Sequence, residues 1–281
     1  MKTLLVPTDF SDFSEKALNL AIVLAKSLNA KILLQHVVTM PLSVAEVPYP
    51  LVQKEIVNLK QKAQVKMKGL ALKIEHAGQI QHEEIVDEGE IADQLMQTIH
   101  TLKVDLVIMG SKGERNLEKA IFGSITDRMI RQAKCPVMAV PKDLHFDHSI
   151  RRISYATDYH KSDVKDIVQL VELAAALKAQ VNVLHISGDD IKPEQEKKLM
   201  EDFMKLVNNV SGYNNMSFQI LHGNNVFIKL SDYISEGNTD ILVMATHHRN
   251  FFEQLIHKST TKQVVEHTKV PVIAFHFSAK S

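Results

Sequence analysis

The chain repeats itself. Leu4-Leu5-Val6-Pro7-Thr8-Asp9 returns as Ile153-Ser154-Tyr155-Ala156-Thr157-Asp158, and Ile32-Leu33-Leu34-Gln35-His36-Val37 returns as Val181-Asn182-Val183-Leu184-His185-Ile186, both displaced by 149 residues. Val104-Asp105-Leu106-Val107-Ile108-Met109 recurs as Thr239-Asp240-Ile241-Leu242-Val243-Met244, and Lys134-Cys135-Pro136-Val137-Met138-Ala139 as Lys269-Val270-Pro271-Val272-Ile273-Ala274, both displaced by 135. Four blocks in the same order mark a duplicated domain, with a second copy that is a net 14 residues shorter. The difference falls between His36 and Gly89, where the first copy carries a Pro-containing stretch from Met40 to Pro50. A length of 281 residues suits two domains. They are placed at 1–142 and 150–281, with the short polar segment Pro141 to Ser149 as linker.

Within each copy, short runs rich in Val and Ile alternate with helical segments. Uninterrupted apolar strands belong to sheets buried on both faces, and their alternation with helices belongs to a parallel sheet wound by helices. Strands are predicted over 3–7, 31–38, 81–87, 104–109 and 136–140, with helices over 11–28, 52–73, 90–100 and 123–133. The second copy yields strands over 151–156, 180–186, 216–221, 240–245 and 271–275, with helices over 162–178, 194–210, 225–236 and 258–267. The fold class is α/β: two tandem doubly wound, Rossmann-like domains, each a five-stranded parallel sheet flanked by four helices.

Composition removes several function classes. Lys+Arg and Asp+Glu both number 33, giving no net charge, whereas nucleic-acid and anionic-membrane binders are held by strong positive charge. One cysteine, Cys135, leaves no intramolecular disulfide and no cysteine zinc cage, and fits a reducing compartment. The apolar run at the N-terminus is too short for a signal peptide, and no stretch has the ~20 apolar residues of a membrane span. The expected location is the cytoplasm.

Ligands of open parallel sheets bind beyond the carboxyl ends of the strands, where the winding reverses. After the fourth strand the first copy reads Met109-Gly110-Ser111-Lys112-Gly113, then nine residues, then Gly123-Ser124-Ile125. Glycines let the backbone come close to a ligand, and a helix start offers free N–H groups and a positive dipole end to an anion. The Ser124 hydroxyl can cap that helix or donate to a phosphate oxygen, and Lys112 and Arg115 add positive charge. By itself this loop also describes a tight turn followed by a capped helix.

Together with its flanks, the pattern Gly-x-x-Gly, nine residues, Gly-Ser resembles the nucleotide-binding signature of the universal stress proteins. The flanks are Val6-Pro7-Thr8-Asp9-Phe10-Ser11, His36-Val37 and Cys135-Pro136-Val137. The resemblance spans the chain as two tandem copies and implies an adenine nucleotide alpha hydrolase-like fold. Family members with the signature bind ATP, and a second branch lacks both. By position, the resemblance implies that Asp9 faces the ribose or adenine, with Pro7 and Thr8 shaping that wall. The Val37 backbone would read the adenine edge. Met109 and Gly110 would lie under the ribose and α-phosphate. Gly113, Gly123, Ser124 and Ile125 would hold the phosphates, and Mg2+ could accompany them. Asp9 has another reading as a cap on the following helix, a task Ser11 or Asp12 could also perform. The resemblance further implies that the last strands of the two copies meet as an intramolecular pseudo-dimer, with a homodimer possible beyond it.

The second copy departs from the signature. Its glycine positions become Ala245, His248 and Lys258, and only the serine survives, as Ser259. A Cβ obstructs the approach of phosphate, so this half reads as a structural partner. The fourteen histidines show no metal-ligand spacing. Cys135 before Pro136 reads as a small buried hydrophobe. There is no Gly-x-x-x-x-Gly-Lys-Ser/Thr loop, no evident general base and hence no catalytic residue. The charged segment 53–73 reads as a solvated helix face that could dock a partner. The reading is a stress-response regulator whose first domain binds ATP, ADP or AMP with little or no turnover. A nucleotide-independent scaffold of the same fold and a slow ATP hydrolase are the alternatives.

Overall fold

The structure, a computed structural model, describes residues 2–39, 49–113, 122–144, 149–188, 192–245 and 270–275. Among these the chain divides into two compact units, the first running to Lys142 and the second from Asp143.

The first unit holds strands β1 (Thr3–Pro7), β2 (Lys31–Val38), β3 (His82–Glu88), β4 (Leu106–Gly110) and β5 (Val137–Val140). They form a parallel sheet in the order β3-β2-β1-β4-β5. Four helices wind it: α1 (Asp12–Leu28), α2 (Tyr49–Ala77), α3 (Ile91–Leu102) and α4 (Ser124–Gln132). The central strands are buried on both faces: Leu4, Leu5, Val6, Val107 and Ile108 are at most 1% exposed. The edge strand β3 instead carries Glu83, Glu84 and Glu88 outward, and such charge discourages edge-to-edge pairing.

In the second unit, β6 (Arg152–Thr157), β7 (Gln180–Ser187), β8 (Met216–His222), β9 (Ile241–Ala245) and β10 (Val272–Phe275) are ordered β10-β9-β6-β7-β8, again parallel. Read from the other end, this is the same winding as in the first unit. Helices α5 (Asp163–Leu177), α6 (Pro193–Ser211) and α7 (Val226–Ser235) belong to it. The helix predicted over 258–267 lies outside the described residues.

The duplication extends to single hydrogen bonds. Asp105 accepts from the Thr3 amide through Oδ2 at 2.7 Å, and its counterpart Asp240 accepts from the Arg152 amide at 2.8 Å. Asn29 and Lys178, 149 residues apart, close α1 and α5 in the left-handed conformation. The units differ in length chiefly because α2 has 29 residues and α6 only 19. The predicted helix 52–73 extends at both ends, to Tyr49 and to Ala77.

Candidate functional site

A cavity of about 490 Å³ opens at the carboxyl ends of β1, β2 and β4. Pro7, Thr8 and Asp9 line it from β1, and Val37 from β2. Met109, Gly110, Lys112 and Gly113 line it from β4 and the following loop, and Gly123, Ser124 and Ile125 from the start of α4. The structure thus brings all eleven anticipated positions to one concavity at the switch point of the sheet. Arg115 lies outside the described residues.

Thr8 organises the β1 end. Its amide donates to the Gln35 carbonyl at 2.8 Å, its hydroxyl donates to Ser14 Oγ at 3.1 Å, and its Oγ1 accepts from the Phe10 amide at 3.0 Å. Its carbonyl lies 2.7 Å from His36 Nδ1, and because a carbonyl only accepts, Nδ1 carries the proton. Burial lowers the His36 pKa, opposed by the bond to Thr8 and by the Asp9 charge and assisted by Lys66. Phe10 sits at φ +64°, a strained conformation for a bulky residue, with its ring 4.5 Å from that of His36. The second unit repeats the device. Tyr159 also has φ +64°, its ring stacks 4.3 Å from His185, and His185 Nδ1 meets the Thr157 carbonyl at 2.8 Å. Burial raises the Tyr159 pKa.

The cap reading of Asp9 is corrected by the geometry: the task falls to Ser11, which the sequence also offered. Ser11 is the N-cap of α1 and accepts from the Ser14 amide at 3.3 Å. Asp9 Oδ1 in turn accepts from the Ser11 amide at 3.1 Å and the Ser11 hydroxyl at 2.5 Å. Asp9 therefore braces the cap, while its Oδ2 is turned toward Gly113: a Cβ built on Gly113 would lie 2.7 Å from it. Gly110 serves a different need. A Cβ there would meet Phe13 Cβ at 2.7 Å and the Phe13 backbone carbonyl carbon at 2.9 Å. The space is taken by α1, so that glycine is required by packing within the protein.

Gly123 is the N-cap of α4, and Ser124 is its first helical residue. The expectation that Ser124 caps the helix is thus replaced by a glycine cap, which has no side chain to accept from the first-turn amides. Gly123 is held by its own amide donating to the Ser111 carbonyl at 2.8 Å, and Thr126 Oγ1 donates to the Gly110 carbonyl at 2.9 Å. The helix start is anchored to β4 through these bonds.

Sequence reasoning missed several lining residues: Ser14, Gln35, His36, Thr39, Ile91, Leu95 and Thr126. Ile91 and Leu95 come from the first turns of α3, whose place against β2 was not legible from spacing. Gln35 was legible in principle, as a polar residue inside an otherwise apolar strand.

Elsewhere, Cys135 is a free, buried thiol whose pKa burial and the Asp105 charge push up to about 12. Ala245 occupies the place of Gly110 in the second unit and is buried, whereas His248, Lys258 and Ser259 lie outside the described residues. Among the described residues no three His, Cys, Asp or Glu side chains group as a metal site, and no helix is long and apolar enough to cross a membrane. His247, His248, His257, His267 and His276 lie outside those residues.

The sequence matches the universal stress protein family over residues 1–141 and again over 149–276. A universal stress protein of Methanocaldococcus jannaschii is 34% identical over 144 residues, covering 50% of this chain and 82% of the relative. One from Synechocystis is 22% identical over 300 residues, covering 98% of this chain and all of the relative. The crystal structure of a universal stress protein from Archaeoglobus fulgidus superposes with a TM-score of 0.72 at 21% identity, covering 98% of this chain and 96% of that one, a likeness of fold. With both halves matched and the winding shared, the chain belongs to the universal stress protein family as a tandem, two-domain member.

Proposed function

We propose that the first unit binds an adenine nucleotide (ATP, ADP or AMP) and that the chain acts as a stress-response regulator with little or no turnover. The observation that carries this reading is the convergence of a carboxylate, a glycine-capped helix start and an apolar wall on one cavity of about 490 Å³. Pockets of this size and mixed lining suit a small cofactor. The first-turn amides of α4, at Ser124 and Ile125, would receive phosphate oxygens, with Lys112 beside them. Asp9 Oδ2 would accept from a ribose hydroxyl, the backbone of Gly113 giving it room. Val37, Ile91 and Leu95 would enclose the base, with Met109 under the ribose. Mg2+, where the nucleotide carries it, would be held by phosphate oxygens.

The chemistry of the described lining supports little turnover. Asp9 is the acidic side chain among the described lining residues, and its Oδ1 already accepts two hydrogen bonds from Ser11. A general base for water attack needs a free, positioned acceptor near the phosphate. A nucleotide-independent interaction protein is favoured by one observation: packing against Phe13 alone accounts for Gly110.

Thermal unfolding of the full chain with and without ATP separates the two. A ligand at 100 times its Kd stabilises its domain by roughly 2.7 kcal/mol, which corresponds to a Tm rise of roughly 5–10 °C. An unchanged melt with ATP, ADP and AMP overturns the nucleotide reading.

A further inference from the structure

One residue that lines the cavity carries a polar atom that the protein leaves unsatisfied. Gln35 is 1% exposed and lines the cavity, and its Oε1 has no hydrogen-bond partner. The other end of the same amide is fixed: Nε2 donates to Asp87 Oδ2 at 2.7 Å. A carboxylate takes only a donor, so Asp87 holds the NH2 group toward β3 and leaves the carbonyl oxygen as the free end. Buried acceptors are nearly always paired, and an orphan in a cavity calls for a donor from whatever occupies it.

Gln35 and Val37 alternate onto the same face of β2, and Val37 stands in register with Asp87 on β3. In the sheet, β2 is separated from β4 by β1, which puts the strand bearing Gln35 about 10 Å from the strand that leads to the glycine loop. With phosphates at the start of α4, the part of the ligand that reaches β2 is the base. We propose that Gln35, oriented by Asp87, is a specificity-determining residue that accepts a hydrogen bond from the exocyclic amine of the base and so selects 6-aminopurine over 6-oxopurine nucleotides. This assignment rests on the adenine-nucleotide reading above. Adenine presents a donor at its 6-position, whereas a 6-oxopurine presents an acceptor there. Two acceptors would then face each other at a buried amide, and sites built around one buried hydrogen bond reject the mismatched analogue strongly.

The test is calorimetric titration of the full chain with ATP and with ITP, which replaces the 6-amine by an oxygen. The native protein is expected to bind ATP about tenfold more tightly than ITP, near the upper end of what one neutral hydrogen bond supplies. Gln35→Met keeps the volume, removes the acceptor and is expected to bring the two affinities within about threefold, mainly by weakening ATP. Asp87→Asn leaves Gln35 in place but frees its amide to turn, and is expected to improve ITP relative to ATP. Equal affinities in the native protein, or a preference unchanged in folded Gln35→Met, overturn the assignment while leaving nucleotide binding intact. Should Gln35→Met fail to fold, an unchanged preference in Asp87→Asn overturns it equally. Binding of neither nucleotide removes the underlying reading, and this assignment with it.

Discussion

Replacing Gly113 by alanine separates a glycine that shapes a ligand contact from one that fills a packing need. The added Cβ would lie 2.7 Å from Asp9 Oδ2, so the carboxylate must swing away by about half an ångström or more to reach ordinary contact. The opposite oxygen is tied to the Ser11 amide at 3.1 Å and the Ser11 hydroxyl at 2.5 Å, so the swing strains one or both bonds. Losing one such bond costs roughly 0.5–1.5 kcal/mol. Against this, the alanine narrows the unfolded ensemble and returns roughly 0.4–1 kcal/mol, because the Gly113 backbone needs no left-handed conformation. Stability is therefore expected to change by less than about 1 kcal/mol. Binding behaves differently. A carboxylate–hydroxyl hydrogen bond is worth roughly 1.5–3 kcal/mol, so displacing Asp9 is expected to raise the Kd for ATP by roughly 10–150-fold. Titration calorimetry of folded Gly113→Ala, paired with a melt of the ligand-free protein, reads both quantities. Native affinity in that variant would refute the role given to Asp9 and Gly113.

Gly110→Ala is expected to fail in the opposite way: its Cβ meets Phe13 at 2.7 and 2.9 Å, part of it backbone, so overpacking should cost roughly 1–3 kcal/mol in the ligand-free melt. The folded-state pKa of His36 is lowered from 6.5 by burial, so the folded unit binds fewer protons there than the unfolded chain. Its contribution to stability is present above about pH 6.5 and is lost as pH falls through the lowered value. A His36→Asn variant, which can still donate to the Thr8 carbonyl, is expected to show a shallower loss of Tm between pH 7 and 5, and an unchanged slope would contradict the assignment. Cys135, with its thiol pushed up to about 12, is expected to resist thiol reagents at pH 8 until the first unit unfolds. Stoichiometric labelling of native protein would count against that.

The sheet was legible because its signal is dense. Runs such as Leu4-Leu5-Val6 and Val107-Ile108-Met109 are apolar on both faces, and the repeat supplied each assignment twice. Boundaries moved where a capping or anchoring residue decided them. β4 starts at Leu106, after Asp105, whose carboxylate is spent on the Thr3 amide. At the site, the glycine spacing located the loop but did not reveal what each glycine does. Gly110 answers to Phe13, 97 positions away in sequence and adjacent only once α1 packs on β4. Gln35 escaped notice because a single amide in an apolar run looks like a tolerated exception. Its meaning depends on Asp87 arriving from the neighbouring strand. The helix cap shifted from Ser124 to Gly123 for a local reason, since the Ser111 carbonyl fixes Gly123 just outside the first turn.

The central claim is that one of the two repeats holds an adenine nucleotide, and stoichiometry tests it most directly. Titration calorimetry of the nucleotide-stripped full chain with ATP should give one site per chain, abolished by Gly123→Lys, whose side chain would occupy the start of α4. Mass spectrometry of untreated protein should find an adenine nucleotide carried through purification. Absence of binding by ATP, ADP and AMP, with no nucleotide retained, would contradict the claim.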